Sequence, residues 1–248
     1  MKNIETVQEQ EINFWRDSDE EKPGIRTIRK ILEKMSNGIE FLDCLSSIKT
    51  LSWDKEMRVL EIGGGQGWAS CLLKSTHTNA HVTLTDISPF AVESVDQWED
   101  MFKVKVDKVY HCKSNETKED NNSIDFIFTF AAAHHFITHR KTINEISRIL
   151  KPGGSAAYFF EPVTQLFWYP MAYKRVNKIR PEVPEDVLII NKIRELSIEA
   201  DLEFTIIRTP NYSNRKGYVE TLYYLIMNTL PFLQKFFPHT ATILFTKK

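Results

Sequence analysis

An α/β fold, a parallel sheet covered by helices on both faces, is what this 248-residue sequence predicts. Three observations carry that reading. From residue 57 onward, short apolar runs alternate with amphipathic stretches whose apolar residues recur at three and four. The first apolar run ends in a cluster of glycines, and an acid stands at the end of the second.

The length fits one α/β domain with decorations, residues 1–248. A hydrophobic share of 42% suffices for a core, and 26% charged residues make an ordinary surface. Net charge is −1 and no basic stripe stands out, so a nucleic-acid partner is not expected. Cys44, Cys71 and Cys112 are far apart and show no C-x-x-C pairing, which argues against a disulfide framework or a zinc site. The opening MKNIETVQEQEINFWRD is too polar for a signal peptide, and no apolar run approaches the ~20 residues of a membrane span. The expected location is cytoplasmic.

Residues 1–54 read as an N-terminal helical cap. A first helix covers 4–16 and breaks in the acidic stretch that ends at Pro23-Gly24. Ile25, Ile28, Ile31, Leu32 and Met35 then predict a helix with one buried face. Gly38 is expected to restart the chain before a third piece with Phe41, Leu42, Leu45 and Ile48.

Residues 55–161 form the expected core of the fold. MRVLEI (57–62) is the first strand, followed by a helix through Leu72 and Leu73. HVTLTD is the second strand, and Ser88-Pro89 after it is a good helix start. DKVYHC (107–112) and IDFIFTF (124–130) are the third and fourth strands. Residues 139–150 make a helix with Ile143, Ile146, Ile149 and Leu150 on one face; LKPGG stops it, and SAAYFF (155–160) is the fifth strand. Residues 162–248 add the insertion TQLFWYPMAYKRVNKIRPEVP, a helix over 185–200, a strand at 203–209, an aliphatic and aromatic stretch at 218–238, and a last strand, ATILFT.

The chemistry concentrates in VLEIGGGQG. Glu61, Gly63, Gly65 and Gly67 read E-x-G-x-G-x-G at a strand end, where glycines let the backbone turn sharply and approach a ligand. The next helix adds exposed N–H groups. Trp68 stands where a dinucleotide fingerprint needs its last glycine, and Glu61 would repel a diphosphate but suits a cationic amino acid. Asp86 follows Gly63 by 23 residues, a spacing at which a strand-end acid can take both hydroxyls of a ribose.

With VTLTDISP (82–89), SIDFIFTFAAAHHF (123–136) and EISRILKPGGSAAYFF (145–160), these segments resemble the class I S-adenosylmethionine-dependent methyltransferase family, in the branch with an LHH-type and an EISRILKPGG-type motif. The resemblance spans roughly residues 57–160. It implies a seven-stranded Rossmann-like sheet whose last strand is antiparallel, with S-adenosyl-L-methionine as cofactor. Carried over, it places Glu61, Gly63 and Gly65 by the methionine part, Asp86 on the ribose, Ile87 on the adenine and Phe130 as backbone in the cofactor pocket. One departure stands out. The family has an acid after the third strand for the adenine amino group, whereas this chain reads HCKSNET, leaving Ser114 or Asn115 for that bond.

Methyl transfer from a sulfonium is an in-line displacement that rests on positioning, needs no metal, and needs a base only if the acceptor loses a proton. No H-E-x-x-H or similar spacing appears, and no metal is expected. His134 and His135 after the fourth strand, and Glu161 at the end of the fifth, lie on the carboxyl edge of the sheet, where ligands bind in open α/β folds; they are the candidate catalytic residues. Aromatics in the N-terminal helices, the insertion and the tail suggest lids over a small or partly apolar acceptor, methylated at O or N. Residues 218–238 are expected to fold over the acceptor side or to contact a membrane or lipid surface. Two other readings remain from the residues alone: a scaffold of the same fold without activity, and a nicotinamide-dependent oxidoreductase.

Overall fold

Buried β-branched and aromatic runs form the strands, and the amphipathic stretches between them cross over as helices. The computed structural model describes residues 4–19, 21–24, 27–53, 55–179, 185–207 and 218–248. In chain order the elements are α1 (Ile4–Asp17), α2 (Ile28–Ser46), β1 (Arg58–Ile62), α3 (Trp68–Thr76), β2 (His81–Asp86), α4 (Pro89–Val92), α5 (Val95–Phe102), β3 (Lys108–His111), β4 (Ile124–Phe130), α6 (His139–Ile149), β5 (Leu150–Thr164), α7 (Tyr169–Ile179), β6 (Leu188–Ile189), α8 (Ile190–Glu199), β7 (Leu202–Ile207), α9 (Tyr218–Thr229) and β8 (His239–Lys247). Short 3₁₀ turns lie at Ala133–His135, Leu166–Trp168 and Pro231–Lys235.

Seven strands follow the order β3-β2-β1-β4-β5-β8-β7, with β8 antiparallel to both neighbours. The two-residue β6 joins the far end of β5 as an eighth strand that the sequence did not announce. Residues 185–189 therefore open as a loop and strand, and the helix expected from 185 begins at Ile190. β1 lies between β2 and β4, so the strand order reverses there. Ligands in open α/β sheets bind at such a switch point, outside the carboxyl ends of the strands.

Alternation along the strands divides the core. Val59, Phe126, Phe128 and Phe159 pack under α2, α3 and α5 with Phe41, Trp68, Leu73 and Trp98. Leu60, Ile127, Ala156 and Tyr158 face α6 and α8, meeting Ile143, Ile146, Ile149 and Ile193. Each valine, leucine, isoleucine or phenylalanine among them contributes roughly 1.5–3 kcal/mol on burial.

The N-terminal cap departs from expectation. One helix, α2, runs through Gly38, which is the point of close approach to α3: a Cβ there would lie 3.1 Å from Leu72. Its expected apolar face is turned outward, with Leu32 61% exposed and Ile28 and Met35 also on the surface. The helix docks instead through Phe41, Cys44 and Leu45, with Lys30 buried against Glu21 at 2.6 Å. Ile25 and residues 208 and 209 of the expected sixth strand lie outside the described residues. Among the described residues, no helix is long and apolar enough to cross a membrane.

A bulge near the end of β5 matters for the site. Phe160 has φ +57°, and the register against β8 shifts between Tyr158 and Glu161. One extra residue reverses the side to which later side chains point. Glu161 thereby comes under the turn at Ala133–His135.

Candidate active site

The glycine loop is held from below and covered from above. Gly64 N donates to Thr85 O at 3.0 Å, and Gly65 N donates to Asp86 Oδ2 at 2.8 Å. Asp86 also accepts from Ser88 N at 2.9 Å, so one buried carboxylate joins the loop to the start of α4. Burial pushes the Asp86 carboxyl up to about 6, against the pull of the Ser88, Gly65 and Ile87 N–H groups. Gly65 has φ +55°, and a Cβ on it would lie 2.9 Å from the Trp15 ring. Only glycine fits both the turn and the covering helix.

A cavity of about 250 Å³ opens on this loop, at the switch point of the sheet. Of the residues expected at the cofactor, Gly63, Gly65, Asp86, Ile87, Ser114 and Phe130 line it. Glu61 does not. Its carboxyl accepts from Ser70 Oγ at 2.5 Å and Ser70 N at 3.1 Å, and burial raises it to about 8. It packs beneath Gly64, where a Cβ would lie 2.6 Å from the Glu61 carboxyl carbon. Gly67, at φ +81°, precedes α3 and also stands off the cavity. Asn115 faces Glu116 and Thr138, whereas Ser114 lines the cavity and bonds the Thr142 hydroxyl at 2.8 Å.

The expected catalytic trio separates into one residue that lines the cavity and two that do not. His135 lines the cavity. Glu161, 0% exposed, lies behind the turn and accepts from the backbone N–H groups of Ala132, Ala133 and His134 at 2.7–3.2 Å. Its Oε2 also lies 2.8 Å from His134 Nδ1, so that nitrogen carries a proton toward the carboxylate. Burial disfavours the imidazolium of His134, but the charge and hydrogen bond of Glu161 outweigh it and hold the pKa above the usual histidine range.

Three acids of the cavity escaped the sequence: Glu11, Glu185 and Glu21, the last paired with Lys30. Glu11, on α1, lies 3.7 Å from His135 Nδ1 and accepts from Trp15 Nε1 at 3.3 Å. Burial raises its carboxyl to about 7, with the Asp86 charge adding and the Trp15 hydrogen bond and His134 opposing. Glu185 reaches the cavity from the segment before β6, pinned where Asp186 N donates to His134 O at 3.1 Å. The pair Phe14-Trp15 did signal that α1 carries more than surface, since both line the cavity. No local signal marks Glu185, which is brought in by β6.

Residues 60–158 match a family model described as a methyltransferase domain. The chain carries a methyltransferase domain over those residues. No curated protein matches it significantly. Among solved structures, this methyltransferase is similar to geranyl diphosphate C-methyltransferase from Streptomyces coelicolor A3(2), at 13% identity and a TM-score of 0.71, with 98% of each chain covered. It is similar to phosphoethanolamine N-methyltransferase 2 of Haemonchus contortus, at 14% identity and a TM-score of 0.64, over 96% of this chain and 59% of that one. A third likeness, to the YcgJ protein of Bacillus subtilis, has 18% identity and a TM-score of 0.59, covering 87% and 99%. At these identities the likenesses establish the fold.

The cofactor of this methyltransferase is S-adenosyl-L-methionine, and the cavity fits it. Glycines form one wall that a side chain would fill, and a buried strand-end carboxylate stands beside them. The geometry also removes the dinucleotide reading. Trp68 packs edge-on against Phe41 and Phe130, with ring centroids 6.1 and 5.3 Å away, filling the position where a pyrophosphate loop requires glycine.

Proposed function

We propose that this methyltransferase transfers a methyl group to an oxygen or nitrogen of a small, partly apolar acceptor held between α1 and the turn after β4. The observation that carries the reading is that the glycine loop, Asp86, Glu11 and His135 share one cavity. In this reading Gly63 and Gly65 admit the methionine part, Asp86 takes the ribose hydroxyls, Ile87 packs on the adenine, Ser114 bonds its edge and Phe130 supplies backbone. Glu61, Gly67 and Asn115 hold the surrounding chain. Bound there, the cofactor supplies an electrophilic methyl on a sulfonium.

The acceptor side belongs to Glu11, His135 and the aromatic walls. Phe14, Trp15 and Phe136 give an apolar surface, consistent with an acceptor that is small and only partly polar. His135 contacts the acceptor. Glu11, poised near pH 7, takes a proton where the acceptor has one to lose. His134 and Glu161 fix the turn that aims His135. Holding the reactants in line and away from water carries much of the barrier reduction. The small-molecule acceptors named for the geranyl diphosphate and phosphoethanolamine enzymes support the acceptor class.

Calorimetry with S-adenosylhomocysteine, followed by transfer of labelled methyl from S-adenosylmethionine into fractionated small molecules, tests the proposal. Saturable cofactor binding and label in a low-mass product are expected. Absence of binding would leave a scaffold of the same fold.

A further inference from the structure

The turn after β4 and the segment before β6 bring together a donor set that neither segment announces. One ring nitrogen each of His134 and His135 and a carboxylate oxygen of Glu185 lie within 4.8 Å of one another. The two imidazole centroids are 4.3 Å apart. The Glu11 carboxylate stands nearby, 3.7 Å from His135 Nδ1, outside that set. Gathering two imidazoles and a carboxylate in a partly buried site costs free energy unless a cation balances them.

We propose that His134, His135 and Glu185 bind a divalent first-row transition-metal ion at the edge of the cavity, and that the ion receives an oxygen of the acceptor. The inference rests on the methyl-transfer reading above and narrows the acceptor to one bearing a hydroxyl or carboxylate oxygen. Two imidazoles with one carboxylate are a donor set used for zinc and for other divalent ions that keep open positions for substrate. Donors around a tetrahedral zinc stand about 3.3 Å apart, so no separation need close by more than about 1.5 Å through side-chain rotation.

Second-shell order supports the site. Glu161 occupies Nδ1 of His134 and so presents Nε2 to the ion, the carboxylate–histidine arrangement that fixes tautomer and ring direction at metal centres. Glu161 is itself fixed by three backbone N–H groups. Glu185 is held in reach by its neighbour, because Asp186 N bonds His134 O and Asp186 Oδ1 accepts from the Tyr169 hydroxyl at 2.8 Å. Glu185 and His135 both border the cofactor cavity, so an ion here would face the acceptor.

The test uses tag-free, chelator-treated full-length protein titrated with Co²⁺ and Zn²⁺ by calorimetry and visible absorption. One Co²⁺ per chain with ligand-field bands is expected, displaced by Zn²⁺. Glu185→Gln and His135→Ala should each weaken binding at least tenfold, and Glu161→Gln should weaken it by about 10–100-fold. Circular dichroism and S-adenosylhomocysteine affinity within a few-fold of the parent would show these variants to be folded. Equal Co²⁺ affinity in the parent and in Glu185→Gln, or no ligand-field bands, overturns the metal site. Failure of the parent to bind S-adenosylhomocysteine would instead overturn the underlying methyl-transfer reading.

Discussion

The Trp15 indole lies against Gly65, 2.9 Å from the place a Cβ on that glycine would take. One helical turn earlier on the same face, Glu11 accepts from the indole N–H. A single surface of α1 thus closes the glycine loop and delivers a carboxylate to His135. Cofactor enclosure and acceptor chemistry are joined through one helix.

Gly65→Val should therefore abolish S-adenosylhomocysteine binding while leaving the circular dichroism spectrum in place. The side chain would meet Trp15, and φ +55° adds about 1–3 kcal/mol of backbone strain for a β-branched residue. Calorimetry giving the parent affinity would show that the loop is not the cofactor wall.

Asp86→Ala should weaken S-adenosylhomocysteine by roughly 1.5–3 kcal/mol, the scale of charge-assisted hydrogen bonds. Asp86→Asn should recover part of the loss, because its side-chain oxygen can still accept from Gly65 N or Ser88 N. Parent-like binding by Asp86→Ala would remove this residue from the ribose.

Activity should rise with pH through about 7, since Glu11 must be ionised to accept a proton. Glu11→Gln should lower kcat by ~10²-fold or more and remove that limb of the profile, with little change in cofactor affinity. An unchanged limb would assign the proton to another group, or to none. Stability runs the other way. A carboxyl whose folded pKa is raised stabilises fully below about 4.5 and loses that contribution as pH climbs through its folded value. Glu11, at about 7, and Glu61, at about 8, should make the ligand-free protein melt lower between pH 5 and 8, and Glu61→Gln should flatten the slope.

Glu161→Ala should cost about 3–5 kcal/mol in denaturant unfolding, because three N–H groups and His134 lose their shared acceptor in a buried place. Glu161→Gln, which keeps one acceptor oxygen, should cost less. A loss under 0.5 kcal/mol for alanine would mean that the turn after β4 holds itself.

No residue of 218–238 borders the cavity. The stretch does present apolar surface. Tyr218 is 96% exposed and Phe167 81%, and Leu222, Leu225, Phe232 and Phe236 are also outward. The tail and the insertion after β5 meet where the Trp168 ring lies tilted against Phe237, centroids 5.6 Å apart, and Arg175 pairs with Glu220 at 3.3 Å. Exposed Lys174, Lys178 and Lys235 lie on the same elements. Co-sedimentation with vesicles containing anionic lipid is expected, and the double substitution Phe167→Asp, Leu222→Asp should remove it without changing S-adenosylhomocysteine affinity. Equal sedimentation of both proteins would exclude this surface as the contact.

The sequence carried β1, β2 and β4 because each is a short, mostly buried run, β1 followed by glycines and β2 ending in an acid, whereas the two-residue β6 is too short to leave a pattern. β4 spans the residues that its apolar run marked, Ile124–Phe130. The cofactor wall was legible for a similar reason: glycines and Asp86 fall on consecutive strand ends. Glu61 was legible only as present, since the same residue could face a ligand or, as here, brace Ser70. The face of α2 was misread because periodicity locates an apolar stripe without saying what covers it. Glu11 and Glu185 were invisible, as each enters the site through tertiary packing over long sequence separation.

The pairing of β5 with β8 also orders the making of the protein. Ser155 finds its partner in Thr246, about ninety residues further along the chain, and β7 reaches the sheet only through β8. During synthesis the cofactor wall, built from β1, β2 and β4, can assemble while one side of β5 still shows a bare row of peptide groups flanked by Ala157, Tyr158 and Phe159. Such an edge is a template for the wrong strand, including that of a second nascent chain. Ligand captured by the early half would stabilise it before β8 closes that edge, making cofactor supply a factor in the yield of folded protein as well as in its turnover.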